Sequence, residues 1–470
     1  MNLTRHAPTI TFLVLTALSL PMFAAASAQA PVFVPEGAPA RIHPLPPLRQ
    51  QAEEIREWNR IRLETVLPGL MREYGVDMWV LSMREYAEDP VFWSFKDATT
   101  FAARRRSIYV FFDRGPEDGV ERLALGGTSQ GGLFQAFQST RPADPAASGR
   151  SAGELVGNEQ WRLFRELVED RDPGRIALNI DGVQAFSDGL HSGERELLEQ
   201  ALGPVYRDRV VREPRLAMNF IGLRIPEMMP RYRKIEETVH AIIGQALSNV
   251  VIEPGATTTD DVRWWLREKV QDLGMTVWFH PSVGIMGRPG GVDSASGVIQ
   301  RGDVLWTDFG VIALGLKTDT QHLGYVLLEG ETEPPAGVRQ CLANSNRLQD
   351  ILLENMEPGL SGNQILSDAL SQMRAEGING SIYTHPIGDH GHGAGPLIGR
   401  WDEQKRVGGR GDPILLPSTW HSIELQSTNP VPEFGEGQTV SCRQEEEAYV
   451  DESGARHWVY RRQSRFHLIW

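Results

Sequence analysis

Cysteine is scarce in this chain. Only Cys341 and Cys442 occur in 470 residues. No CxxC pair exists, so neither a thiolate zinc site nor a disulfide-rich scaffold is available, and two separate thiols are the expectation for so long a chain. Positive charge is also in deficit: 47 Lys and Arg stand against 61 Asp and Glu, a net charge of −14. That balance excludes nucleic acid and anionic membrane as the main partner. Long apolar runs are absent after the first thirty residues, and none reaches the roughly 20 residues of a membrane span. The glycine-rich run Gly127 to Gly132 has no P-loop lysine and reads as a loop. No repeat of fixed period is present.

What is present divides the chain into four stretches. Arg5, the apolar run Ile10 to Leu20 and the small residues up to Ala30 read as a secretory signal peptide, residues 1–30, cleaved after Ala28 or Ala30. A periplasmic or secreted protein is the expectation, with no membrane contact after cleavage. Residues 31–48 are rich in Pro and Ala and read as an extended tether. From 49 to 215, short apolar strands (Asp77 to Ser82, Ser107 to Phe112, Arg122 to Leu125, Arg175 to Ile180) alternate with helical spacing, which predicts an α/β domain. Prolines from Pro214 to Pro230 mark a boundary, and a further domain is expected over 225–470. It opens with an amphipathic helix (Ile235, Val239, Ile242, Ile243). A second helix follows, capped by Thr257 to Thr259 and closed by Gly274.

Four clusters in that last domain carry chemistry. Val304 to Leu328 reads as a hairpin turning near Ala313 to Gly315, with Asp308 and Asp319 set roughly opposite each other in apolar strands. Two buried like charges repel, and a divalent cation is the simplest remedy. Thr384 to Gly399 places His385, His390 and His392 among glycines. Imidazole ligates first-row divalent ions well, and glycine lets the backbone come close. Glu424 lies in an apolar strand. In RQEEEAYV, Glu445 and Glu447 point to one face and Glu446 to the other. The order Asp, Asp, His, Glu, Glu suits two divalent ions sharing bridging carboxylates.

In order and spacing these clusters resemble the pita-bread metallopeptidases: methionine aminopeptidase, aminopeptidase P and prolidase. The resemblance rests on TDFG at Asp308, KTDTQ at Asp319 eleven residues on, GHGAG at His392, SIEL at Glu424 and RQEE at Glu445. It covers Arg233 to about Trp470, and the preceding α/β domain looks like the non-catalytic domain of the two-domain Xaa-Pro branch. It implies an α/β N-terminal domain followed by an α+β pita-bread catalytic domain. It also implies a centre of two divalent ions (Mn, Zn, Co or Fe) held by Asp308, Asp319, His392, Glu424 and Glu445, with His390 the other candidate for the histidine. By the same resemblance a metal-bridged hydroxide attacks the peptide carbonyl, and Glu424 moves the proton.

The chain departs from the family in three places. The family's His about seventeen residues before the first Asp is Gly291. Its His seven residues after the ligand His is Gly399, counted from His392, and its Arg after the second Asp is His322. His280 and His385 are the residues expected to supply catalytic donors in their place. A secreted exopeptidase acting on Xaa-Pro peptides is therefore the leading expectation, with a small peptide as substrate and a homodimer as the assembly. A metallohydrolase of another small amide or ester, and a non-catalytic binding protein of the same fold, are the alternatives.

Overall fold

Apolar residues three and four apart from Ile55 to Leu70 form one helical run with a widened turn in its middle. Helix α1 (Leu48–Ile61) passes through a π-turn at Arg62–Val66 into α2 (Leu67–Glu73), and Gly75, at φ +60, ends the run. The structure, a computed structural model, describes residues 38–140, 155 and 157–470. The signal-peptide segment, the tether up to residue 37 and the beginning of the helix expected near Gly153 lie outside the described residues.

The four strands predicted in the first half are present as β1 (Met78–Arg84), β2 (Arg106–Asp113), β3 (Val120–Leu125) and β5 (Ile176–Leu178), and two short strands that were not predicted, β4 (Gln135–Phe137) and β6 (Val210–Val211), join them. Helices α3 (Asn158–Arg171) and α4 (Ser192–Arg207) intervene. The six strands form one sheet in the order β4-β3-β2-β1-β5-β6. Both faces are buried, which is why β1 reads as an unbroken apolar run. Trp79 and Leu81 pack toward α2 and the segment after it, while Met78 and Val80 pack under Phe164 and Leu198 of α3 and α4.

Two readings of the linking segments change. Pro214–Gly222 is a helix, α5, with Pro214 in its first turn and Leu216, Phe220 and Ile221 inaccessible to solvent. Pro214 stands in the opening turn, where its missing N–H costs no hydrogen bond. The part of the tether that is described is docked: His43 Nε2 lies 2.6 Å from Glu237 Oε2, and its backbone N–H donates to Thr238 Oγ1 at 3.0 Å.

The second half contains α6 (Met229–Ala246), α7 (Thr259–Asp272), β7 (Ser282–Gly287), β8 (Val304–Phe309), β9 (Ile312–Ala313), β10 (Leu316–Lys317), β11 (Thr320–Val326), α8 (Ala336–Asn355), α9 (Gly362–Ala375), β12 (Gly380–Ile382), β13 (His385–Pro386), β14 (Thr419–Pro430), β15 (Thr439–Val450), β16 (Arg456–Trp458) and β17 (His467–Ile469). Thr258 and Asp261 form a reciprocal capping box on α7, as the Thr and Asp run predicts. A nine-stranded sheet runs β12-β14-β15-β11-β8-β7, with β13 on β14, β16 on β15 and β17 on β11. Helices α8 and α9 pack on Ile423, Leu425, Ala448 and Val450, so the residues alternating with Ile423 and Leu425 point to the other face.

Both cysteines are bonded. Cys341 on α8 and Cys442 on β15 form a disulfide with Cα atoms 5.8 Å apart, which corrects the expectation of two separate thiols. The sequence separation hides this pairing, because only the packing of α8 across β15 brings the two together.

Candidate metal centre

The hairpin turns at Leu314 and Gly315, both at positive φ (50° and 80°), as a two-residue turn between β9 and β10 requires. Its strands differ from the expected register. Asp308 faces Gln321, not Asp319. Asp319 lies two residues from Gln321 and so on the same face, one diagonal step from Asp308.

Strand register then builds two rows across the sheet. In the first row Glu424 pairs with Glu445, Glu445 with Gln321, and Gln321 with Asp308. The second row lies two residues along: His385 pairs with Ser422, and Ser422 with Glu447. Glu447 accepts the backbone N–H of Asp319, and Ser422 Oγ donates to the Asp319 carbonyl at 3.2 Å. Gln321 Nε2 donates to Glu424 Oε1 at 2.7 Å and to Glu445 Oε2 at 2.8 Å, and so fixes both glutamates.

Ligand atoms of Asp308, Asp319 and Glu445 lie within 4.8 Å of one another, as do those of His385, Glu424 and Glu445, and those of Asp319, His385 and His392. His385 Nε2 is 3.2 Å from Glu445 Oε1 and 3.7 Å from Asp319 Oδ2. Asp308 Oδ1, Asp319 Oδ1, Glu445 Oε1 and His385 Nε2 are buried and make no hydrogen bond. Leaving buried carboxylates unpaired is costly. Burial, and then the charge of Glu445, pushes the acids of Asp308, Asp319 and Glu424 well above the usual carboxylate range. Unpartnered oxygens converging with an imidazole nitrogen are what divalent cations require, so the residues fit the metal centre.

The structure brings together Asp308, Asp319, His392, Glu424 and Glu445 from the sequence-based set, and adds His385, whose Nε2 lies 3.2 Å from Glu445 Oε1. His392 stands beyond it, with ring centroids 4.7 Å apart and an edge-to-face geometry. The signal for this was in the sequence: counted from His385, the family's second histidine seven residues on is His392 rather than Gly399. His390 turns away and packs on Phe186 at 4.7 Å. His280 is exposed, with Arg267 Nη1 3.3 Å from its Nδ1 and Trp264 against its ring, and joins none of these clusters. It stands ahead of β7, whose Ser282 rather than His280 pairs with Asp308. Gly291 faces Gln438 and supplies no donor side chain.

The loop that carries the histidines is anchored from the N-terminal half. Arg62, on the π-turn, donates to Asp389 Oδ2 at 3.0 Å and to the Phe220 carbonyl at 2.6 Å, while Arg224 donates to Asp389 Oδ1 at 2.8 Å. A Cβ at Gly391 would lie 2.5 Å from the Trp278 ring, so only glycine lets the loop pass there. Trp278 and Tyr383 flank His392 at 5.2 and 6.0 Å, and Trp401 lies 5.9 Å from Tyr383. Sequence reasoning missed the roles of Gln321, which falls within KTDTQ, of Arg62 and of this aromatic set.

Residues 232–452 match metallopeptidase family M24. Among solved structures the chain is similar to X-Pro aminopeptidase from Thermotoga maritima MSB8, with a TM-score of 0.59 and 17% identity over 85% of this chain and 99% of that one. It is also similar to Xaa-Pro dipeptidase from Bacillus anthracis, with a TM-score of 0.57 and 15% identity over 90% of this chain and 100% of that one. The N-terminal domain of FACT complex subunit SPT16 from Cicer arietinum (chickpea) follows at a TM-score of 0.53 and 9% identity, over 87% of this chain and 96% of that one. No curated protein matches the chain. At these identities the structural likeness establishes the fold, and the family match adds the chemistry. An α/β domain precedes a curled sheet of the pita-bread type, and residues 232–452, within that second half, match metallopeptidase family M24.

Proposed function

We propose that the protein is a periplasmic or secreted exopeptidase that uses two divalent ions to cleave Xaa-Pro-type bonds in small peptides. The observation that carries this reading is the convergence of Asp308, Asp319, His385, Glu424 and Glu445, all but Glu424 with a buried, unpartnered ligand atom. Asp319 and Glu445 are central to the cluster and suit the bridging role, Asp308 suits one ion, and His385 and Glu424 suit the other. Bound there, the ions would offset the carboxylate charge, polarise the scissile carbonyl and acidify a water.

The chain's own residues do the rest. Glu424, at the edge of the cluster, takes the proton of the attacking water and passes it to the leaving nitrogen. Gln321 holds Glu424 and Glu445 in place. His392, exposed beside His385, donates to the substrate carbonyl as charge develops on it. Trp278, Tyr383 and Trp401 offer flat apolar faces that a proline ring can stack against. The Xaa-Pro peptidases among the structural relatives support the substrate class. The signal-like N-terminus and the Cys341–Cys442 disulfide support an oxidising compartment.

A panel of Xaa-Pro dipeptides, longer peptides beginning Xaa-Pro, proline-free peptides, and small amides and esters tests the reading. Hydrolysis confined to Xaa-Pro bonds is the expected result. Turnover of only the amides or esters moves the protein to another metallohydrolase, and no turnover by metal-loaded protein contradicts a catalytic role.

A further inference from the structure

Strand β15 alternates its glutamates: Glu445 faces the centre described above, and Glu446 faces the opposite side of the sheet. There it meets a second buried cluster that the peptidase reading does not use. His240 Nε2, on α6, is 2.9 Å from Glu446 Oε2 and 3.2 Å from Glu236 Oε1. His322 Nε2, on β11, is 3.0 Å from Glu446 Oε1. Ligand atoms of His240, His322 and Glu446 lie within 4.8 Å of one another, and all three side chains are less than 5% exposed.

The cluster shows the same signature as the first centre. His240 Nε2, Glu446 Oε2 and Glu236 Oε2 are buried and make no hydrogen bond, although His240 stands at contact distance from two carboxylates. One imidazole N–H cannot satisfy both, whereas one cation can accept lone pairs from all of them. The ring is positioned as well. His322 Nδ1 is 3.0 Å from His467 Nε2, so the His322 ring is held from behind by a second imidazole. That contact leaves His322 Nε2 pointing at Glu446, which is the arrangement of a metal-bound histidine held from behind.

We infer that His240, His322 and Glu446 form a separate binding site for a first-row divalent cation on the far face of β15, with Glu236 beside His240. Two imidazoles and a carboxylate suit Zn, Mn, Fe or Co. The site joins α6, β11 and β15, and through His467 also β17. It therefore fixes the strands that carry Asp319 and Glu445 without touching substrate. Its role is structural.

Cobalt binding to the full chain tests it. In an Asp308→Asn/Glu424→Gln/His385→Ala variant, whose first centre is dismantled, one equivalent of Co(II) should still bind, with visible absorption typical of low coordination, and should raise the Tm. Adding His240→Gln and His322→Gln should abolish that equivalent while near-UV circular dichroism stays native. If the triple variant does not fold, His322→Gln alone in the otherwise native chain should lower the total metal content by one ion. A folded triple variant that binds no Co(II), or a His322→Gln protein with unchanged metal content, overturns the inference and leaves the cluster a hydrogen-bonded ion pair. Either result is read without peptidase activity, so it stands apart from the assignment of the first centre.

Discussion

His385 Nε2 stands 3.2 Å from Glu445 Oε1, and neither atom makes a hydrogen bond. Two polar groups held this close without hydrogen-bond geometry are aimed at a shared third partner, and a cation is the partner both can ligate. His385→Ala should therefore lower divalent-metal content and activity together. His392→Ala should leave metal content unchanged and reduce kcat. Metal content per chain, measured on both variants, separates a ligand from a substrate-facing donor.

Gln321 is the one neutral side chain in the row Glu424, Glu445, Gln321, Asp308. It gives one hydrogen bond to each glutamate. Gln321→Leu is close in size and removes both. Loss of such an outer support typically costs about 10–100-fold in metal affinity. A competition titration against a chelator should show that loss with little change in Tm.

Glu424→Gln keeps the shape and the Gln321 contact region but cannot take up a proton. General acid–base groups contribute about 10²–10⁴-fold. A kcat reduction of that order is expected, with the fold retained by circular dichroism.

Asp389 is buried between Arg62 and Arg224. Burial alone would raise its acid, but the two guanidinium groups outweigh it and hold the carboxyl far below the usual range. Its folded-state value is thus depressed relative to an unfolded value of about 3.9. The ionised pair stabilises the protein fully above that unfolded value, and the contribution is lost as pH falls from about 4 through the folded value. Asp389→Asn leaves two buried arginines without their counter-charge, for which about 3–5 kcal/mol is the usual cost. The measurement is Tm against pH. The variant should be less stable at pH 7 and show a shallower acid limb than wild type.

The disulfide closes a loop with a sequence separation of 101. Removing a native disulfide costs about 2–5 kcal/mol. The Cys341→Ser/Cys442→Ser variant should unfold at lower denaturant concentration, and a reducing agent should shift wild type but not the variant.

Much of the site was legible in the sequence because carboxylates in apolar strands need a reason to be there. Asp308, Asp319, Glu424 and Glu445 stood out on that ground, and the alternation in RQEEEAYV placed Glu446 on the opposite face before any register was known. The histidine was harder. Three candidates share eight residues of glycine-rich loop, where no periodicity says which side chain points inward. Only the pairing of β13 with β14 places His385 beside the carboxylates. Arg62 was not legible at all, because its use depends on a π-turn that leaves the apolar spacing intact. Helix α5 was not legible either, because the prolines of that stretch do not say whether their fixed φ ends a structure or starts a buried helix.

The most direct measurement is a count of divalent ions in the Mn- or Zn-loaded full chain and in the Asp308→Asn/Glu424→Gln/His385→Ala variant, with both samples assayed on Xaa-Pro peptides. The account predicts two ions more in the wild type, and hydrolysis by the wild type alone. Equal ion counts in two folded proteins, or equal hydrolysis, would contradict it.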